Sequence, residues 1–466
     1  MNWAFASYPG QSAAPLPALL RTETFWVNLA FFLTFFPATI YFILPSLSQP
    51  VAALALLPLL VLFPTRNGVV TRWILILLLV IAGYMVITLF IYEEIAAKIL
   101  ANGISYMLPP LYLLAMQNRA DMISVRVYRW ALRLWLGIGI IQYFSVFSFI
   151  QSPLQSVLKI FIADRFLMTH YTANRGVMFF SSEPATAAPI ILLFIICPLF
   201  FRAQRTMSRG EMFFSIAASL AMAAMNQSGT VAVLILLVGI GAFCDWLAAL
   251  RWRSKVLAVA ILSLGMWGVG ALSVALSSNV RALIVLAQFA RLADPSGYSG
   301  RAIVAGLSAI GSERVVPLLQ GYGSLVDHYG MGHGIASWNI ESVVAHVEDV
   351  VGIGVFDFAE NRSENGVYSP DTGMGQTKPQ TFLATMAWDI GLPGLLTSIA
   401  VMVAVVSVAR RQRQLGEFRY LFLIPAIIHC AFFSQVPLLA PWLILVFAVT
   451  PGLNARSSAG VPATAA

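Results

Sequence analysis

Arg175, Glu183 and Arg301 are the residues of this chain whose types and placement could do chemistry together. Arg175 and Glu183 bracket a short run that ends in Ser181-Ser182, and Glu183-Pro184 opens an apolar stretch. An ionisable group at the threshold of hydrocarbon is costly to keep there, which marks it as a functional candidate. The planar fork of arginine grips anionic oxygens in two places and stays charged beside a membrane. A partly desolvated glutamate can take a proton. Together these residues suit anion stabilisation with a general base. A plainer reading has Arg175 and Glu183 pairing with each other or anchoring the interface. Arg301 begins a predicted amphipathic helix, where a cation opposes the helix dipole, so helix stability does not account for it. A solvated surface arginine is the other reading of that position. Arg281 and Arg291 are secondary anion-binding candidates.

His328 and His333 stand close together in Asp327-His328-Tyr329-Gly330-Met331-Gly332-His333-Gly334. They are second-choice proton acceptors after Glu183. The glycines between them argue against a helical metal-ligand pair, no cysteine is near, and no metal or cofactor is implied. Cys197, Cys244 and Cys430 all fall in apolar runs and read as small buried hydrophobes.

Most of these residues belong to one polar, glycine-rich stretch, 278–380, which holds half of the 20 acidic residues and His328, His333 and His346 among the 5 histidines. A connection longer than about 15 residues is usually functional or disordered, and this one carries apolar helical patterns that a tether would lack. It reads as a working extramembrane domain: a helix from Arg301, a glycine-rich turn at Gly321-Tyr322-Gly323-Ser324, a surface helix over 340–351, and a polar flap from Glu360 to Lys378. A second, smaller external segment covers 151–183.

The rest of the chain must position these groups in a bilayer. Of its 466 residues 59% are hydrophobic and 10% charged, with a mean hydropathy of +0.82, so its apolar surface cannot be hidden in a soluble globule. The expected fold is an all-α polytopic membrane protein of about twelve transmembrane helices with one large periplasmic loop domain. Spans one to nine, including 184–201, 212–226, 228–248 and 256–277, lie in 1–277. Spans ten to twelve, at 381–408, 420–436 and 438–452, lie in 381–466 with a cytoplasmic tail. The first apolar run, after Arg21, reads as a span and not as a cleaved signal. Asn226-Gln227-Ser228-Gly229-Thr230 reads as a tight hairpin between two spans, or as side chains hydrogen-bonding a neighbouring helix. The net charge of +8 arises in short clusters such as Arg119, Arg126 and Arg129, then Arg202, Arg205 and Arg209, all in alternate loops. The positive-inside rule then accounts for them without nucleic acid, and puts both termini in the cytoplasm with 278–380 outside.

Several short motifs occur in order. They are Arg175-Gly176 before Ser182-Glu183-Pro184, Asn226-Gln227-Ser228-Gly229-Thr230 opening a span, Gly300-Arg301 with Gly321-Tyr322-Gly323, and Gln380-Thr381-Phe382-Leu383 leading to Gly391-Leu392-Pro393-Gly394. Their order around one large loop, over roughly residues 170 to 400, resembles the O-antigen polymerase and O-antigen ligase superfamily. The resemblance implies an inner-membrane glycosyltransferase acting at the periplasmic face on undecaprenyl-diphosphate-linked oligosaccharide. Its implied partners are flippase and chain-length regulator proteins. Ligases of this kind carry a histidine where this chain has Gln380, and Glu183-Pro184 after an upstream arginine looks more like the polymerase side. Arg175 and Arg301 would then hold the diphosphate and Glu183 would deprotonate the acceptor hydroxyl, with Arg281, Arg291, His328, His333 and Gln380 as further substrate-binding positions. The competing expectations are ligation to lipid A core, and a transporter or flippase of the same lipid-linked saccharide.

Overall fold

A computed structural model describes residues 22–37, 52–63, 69–144, 177, 179–181, 184–226, 228–249, 318, 320–326, 329–340, 342–343, 346, 381–411, 419–432 and 438–450. The described residues are helical, and their one strand-like feature is an isolated antiparallel bridge between Met331 and Gly391. The main helices are α1 (Glu23–Thr34), α2 (Ala52–Leu62), α3 (Val69–Ile91), α4 (Ala96–Met116), α5 (Val125–Phe144), α6 (Pro184–Ala203), α7 (Arg209–Asn226), α8 (Gly229–Ala249), α9 (Phe382–Ile390), α10 (Leu392–Arg411), α11 (Arg419–Phe432) and α12 (Ala440–Val449). The expected ninth span, 256–277, lies outside the described residues.

Among the described residues, five helices are long and apolar enough to cross a membrane: Val69–Ile91, Glu93–Met116, Thr186–Ala203, Thr230–Ala248 and Leu392–Arg410. At about 1.5 Å per residue, the 23 residues of α3 cover a hydrocarbon core of about 30 Å. Leu75, Ile76, Leu79, Val86, Ile87 and Phe90 of α3 are exposed, an apolar face that water would not tolerate but lipid does. The chain is therefore a multi-pass membrane protein. The interior runs the other way. Every residue of α12 is buried, as expected of a helix that is apolar all round, and it packs on α4, α6, α10 and α11.

Polar side chains tie together the helix ends that the charge pattern assigns to one side. Arg119, after α4, pairs with Glu23 at the start of α1 and donates to the carbonyls of Ala115 and Phe63, the latter just past α2. Gln117 Nε2 donates to Thr71 Oγ1 at the start of α3 (2.6 Å). Arg129 pairs with Glu211, joining the first turns of α5 and α7. The Asp245 carboxylate, late in α8, accepts from the Tyr420 and Leu421 N–H groups of α11, each at 2.9 Å. These capping bonds satisfy donors that the first turn of a helix leaves open.

Two local expectations change. The segment expected as a turn at Gly321–Ser324 is helical within 320–326, and Gly321 packs so close to the Cβ and carbonyl of Ala384 that a side chain there would meet them at under 3 Å. The span expected over 381–408 is two helices, α9 and α10, divided at Gly391. Gly391 has φ of 78°, and a Cβ there would strike Gly330 O and Gly332 N, so only glycine lets the segment around Gly330–Gly332 reach the break.

Candidate functional site at the helix break

The short helix α9 is capped by Thr381, whose hydroxyl accepts from the Ala384 N–H at 3.2 Å, and all 9 of its residues are buried. Its C-terminal carbonyls would be left open at the break. The irregular segment 329–340 closes them: the His333 N–H donates to Trp388 O and the Gly334 N–H to Asp389 O, both at 2.9 Å. The segment also serves α10, since the Leu392 N–H donates to Gly330 O at 2.7 Å. Non-helical backbone is tolerated at this depth only where protein buries it and its polar groups are paired. The other edge of the segment rests on α3, where the Ile335 N–H donates to Thr88 Oγ1 at 3.1 Å.

Side chains then gather on this frame. The Tyr106 hydroxyl, midway along α4, donates to Asp389 Oδ2 at 2.5 Å, and both groups are fully buried. The Trp388 Nε1 donates to Ser337 Oγ at 3.0 Å. His333, 5% exposed, sets its ring 5.3 Å from that of Trp388 at an interplanar angle of 40°. A span, a broken helix and the segment 329–340 thus meet at Asp389, whose carboxylate accepts from Tyr106 and whose carbonyl accepts from Gly334. Beside them Tyr322 lies over α11, its hydroxyl donating to Ala431 O at 3.0 Å; burial pushes that phenol up, which keeps it protonated as a donor. Among the described residues no three His, Cys, Asp or Glu side chains gather as metal ligands.

Of the residues singled out in the sequence, His333 is placed in this cluster. Arg175, Glu183, Arg281, Arg291, Arg301, His328 and Gln380 lie outside the described residues. The chain between Arg175 and Glu183 is nevertheless anchored. The Val177 N–H donates to Met225 O (3.0 Å), and Val177 O accepts from Asn226 Nδ2 (2.8 Å). The Gln142 side chain makes two bonds to the Phe179 backbone, at 2.8 and 3.0 Å, and the Phe179 ring stacks on Trp135. Asn226 thus bonds a neighbour, though that neighbour is the irregular stretch at Val177 and not a helix, and α7 ends at Asn226 with α8 beginning at Gly229. Tyr106 and Asp389 went unnoticed in the sequence. Asp389 did leave a signal, a single acid in the apolar run Phe382–Leu392, which by itself marks a candidate in a membrane span. Tyr106 left none. No family model matches the chain, and no curated protein matches it.

Proposed function

We propose that the chain is an integral membrane glycosyltransferase of the O-antigen polymerase type. It would join undecaprenyl-diphosphate-linked repeat units at the periplasmic face of a bacterial inner membrane, through about twelve spans and with both termini in the cytoplasm. The observation that carries this reading is the seating of 329–340, part of the long polar stretch, into the break between α9 and α10, with His333 and Asp389 buried there. A disordered tether would not be built into the bundle in this way. The ordered motifs shared with the O-antigen polymerase and ligase superfamily support the same reading.

In the proposed reaction the acceptor hydroxyl oxygen attacks the anomeric carbon with inversion. The bond from that carbon to the diphosphate oxygen breaks, and the undecaprenyl diphosphate leaves with the electron pair. Arg175 and Arg301 stabilise the diphosphate charge, which is the larger need because the leaving group is already good. Glu183 takes the hydroxyl proton, with His333 as the second candidate.

A transporter is the second reading, favoured by the broken helix with buried Asp389, since transporters bind substrates at interrupted spans. Against it, the backbone of 329–340 already occupies the groups that such a break would offer a ligand. The deciding experiment is the length distribution of lipid-linked glycan in membranes carrying wild type, Arg175→Ala or Glu183→Gln at matched expression. Polymerisation requires the variants to accumulate single repeat units exposed to the periplasm. Full-length chains that fail to reach lipid A core mark a ligase, and units held on the cytoplasmic face mark a flippase.

A further inference from the structure

The three elements that meet at Asp389 come from distant parts of the chain: α4, whose Tyr106 hydroxyl binds its carboxylate, the end of α9 itself, and the outer segment, whose Gly334 N–H binds its carbonyl and whose Trp338 packs on Trp388. His333 stands five residues before Trp338, and its backbone N–H is bonded to Trp388, next to Asp389. Asn102 and Ser105, the other buried polar residues in the outer half of α4, turn their side chains back to the carbonyls of Lys98 and Ala101 in their own helix. Tyr106 instead reaches across to Asp389, 283 positions away. A hydroxyl that holds the carboxylate of Asp389, whose backbone carbonyl in turn holds Gly334 of the outer segment, fixes their relative position as packing alone would not.

We infer that Tyr106 and Asp389 are positioning residues for glycosyl transfer: their hydrogen bond seats the segment carrying His333 at the helix break. This rests on the function proposed above. The pair touches neither donor nor acceptor. It acts by holding 333–338 in register with α9, so that the outer segment presents one arrangement to the substrate. Groups misplaced by about 1 Å can lose about 100-fold in rate without any change in the residues that do the chemistry.

The test uses the full chain in lipid nanodiscs with two readouts, hydrogen–deuterium exchange over 329–340 and steady-state polymerisation of a lipid-diphosphate-linked repeat unit. Tyr106→Phe removes only the hydroxyl. It is expected to raise exchange in 333–338 at least tenfold and to lower kcat by ten- to a hundredfold, with KM within about threefold. Asp389→Asn keeps an oxygen that accepts from Tyr106 and is expected to lose far less than Asp389→Leu in both readouts. The inference is overturned if Tyr106→Phe leaves exchange unchanged. It is equally overturned if Asp389→Asn is as inactive as Asp389→Leu while 333–338 stays protected, because the carboxylate itself would then be doing chemistry. A wild-type protein that polymerises nothing sinks the functional reading, and the exchange data still report whether the pair seats the segment.

Discussion

Among single residues, the two arginine–carboxylate pairs of the described residues are alike in chemistry and different in setting. Arg119 is 2% exposed and holds two carbonyls besides Glu23, whereas Arg129 is 44% exposed and holds Glu211 alone. Removing one member of a buried pair leaves an uncompensated charge and unsatisfied carbonyls, at about 3–5 kcal/mol. Breaking an exposed pair costs under about 1 kcal/mol. Arg119→Ala is therefore expected to lower the thermal unfolding midpoint of the detergent-purified protein steeply, and Arg129→Ala to leave it within a degree or two of wild type. Equal shifts would mean that Arg119 is not the tie among α1, α2 and α4 that its bonds describe. His333→Ala tests a different property of a single residue. It leaves the backbone bond to Trp388 intact, so segment 329–340 should stay protected from exchange while polymerisation falls, if the imidazole rather than the seat is what matters.

At the scale of elements, the break between α9 and α10 depends on backbone meeting backbone. Gly391 combines φ of 78° with ψ of −154°, a region that residues with a Cβ avoid, and it faces Gly330 and Gly332 directly. Gly391→Ala should cost at least about 1–3 kcal/mol from the backbone conformation, with the clash in addition. Gly83→Ala, in mid-α3 with nothing within 4 Å of the added methyl, should be neutral or gain up to about 1 kcal/mol from helix propensity. Retained folded fraction on size exclusion after graded heating compares the two. This break also marks where sequence reasoning stops. Apolar runs disclosed α3, α4, α6, α8 and α10 because each is a continuous stretch of the length a bilayer demands. The motif Gly391-Leu392-Pro393-Gly394 was visible too, but a run that is apolar on both sides of one glycine reads as one span. Only the approach of Met331, some sixty residues earlier in the chain, requires the interruption. The partnership of Tyr106 with Asp389 was hidden for the same reason: nothing local to Tyr106 distinguishes it from any interfacial tyrosine.

For the molecule as a whole, the polar ties among the described residues gather at two levels of the bundle. Arg119 and Tyr106 both belong to the α4 region, and the 13 positions between them correspond to about 20 Å along a helix. The Arg119 end gathers Glu23, Thr71 and the Phe63 carbonyl, and the Arg129–Glu211 pair ties the starts of α5 and α7. The level of Tyr106, midway along α4, holds the break between α9 and α10 and the segment 329–340. If positive charge is retained in the cytoplasm, the orientation is fixed and can be read on living cells. Tyr329 is 98% exposed at the seat, and Arg209 is exposed at the opposite end of the bundle, where α7 begins. Cys197 and Cys430 are buried, so a Cys244→Ser background leaves little native thiol to react. In that background Tyr329→Cys is expected to react with a membrane-impermeant maleimide on intact spheroplasts, and Arg209→Cys only after lysis. The reverse pattern would put the Tyr106–Asp389 seat on the cytoplasmic side, where a periplasmic polymerase could not use it, and would turn the same cluster into evidence for a cytoplasmic gate.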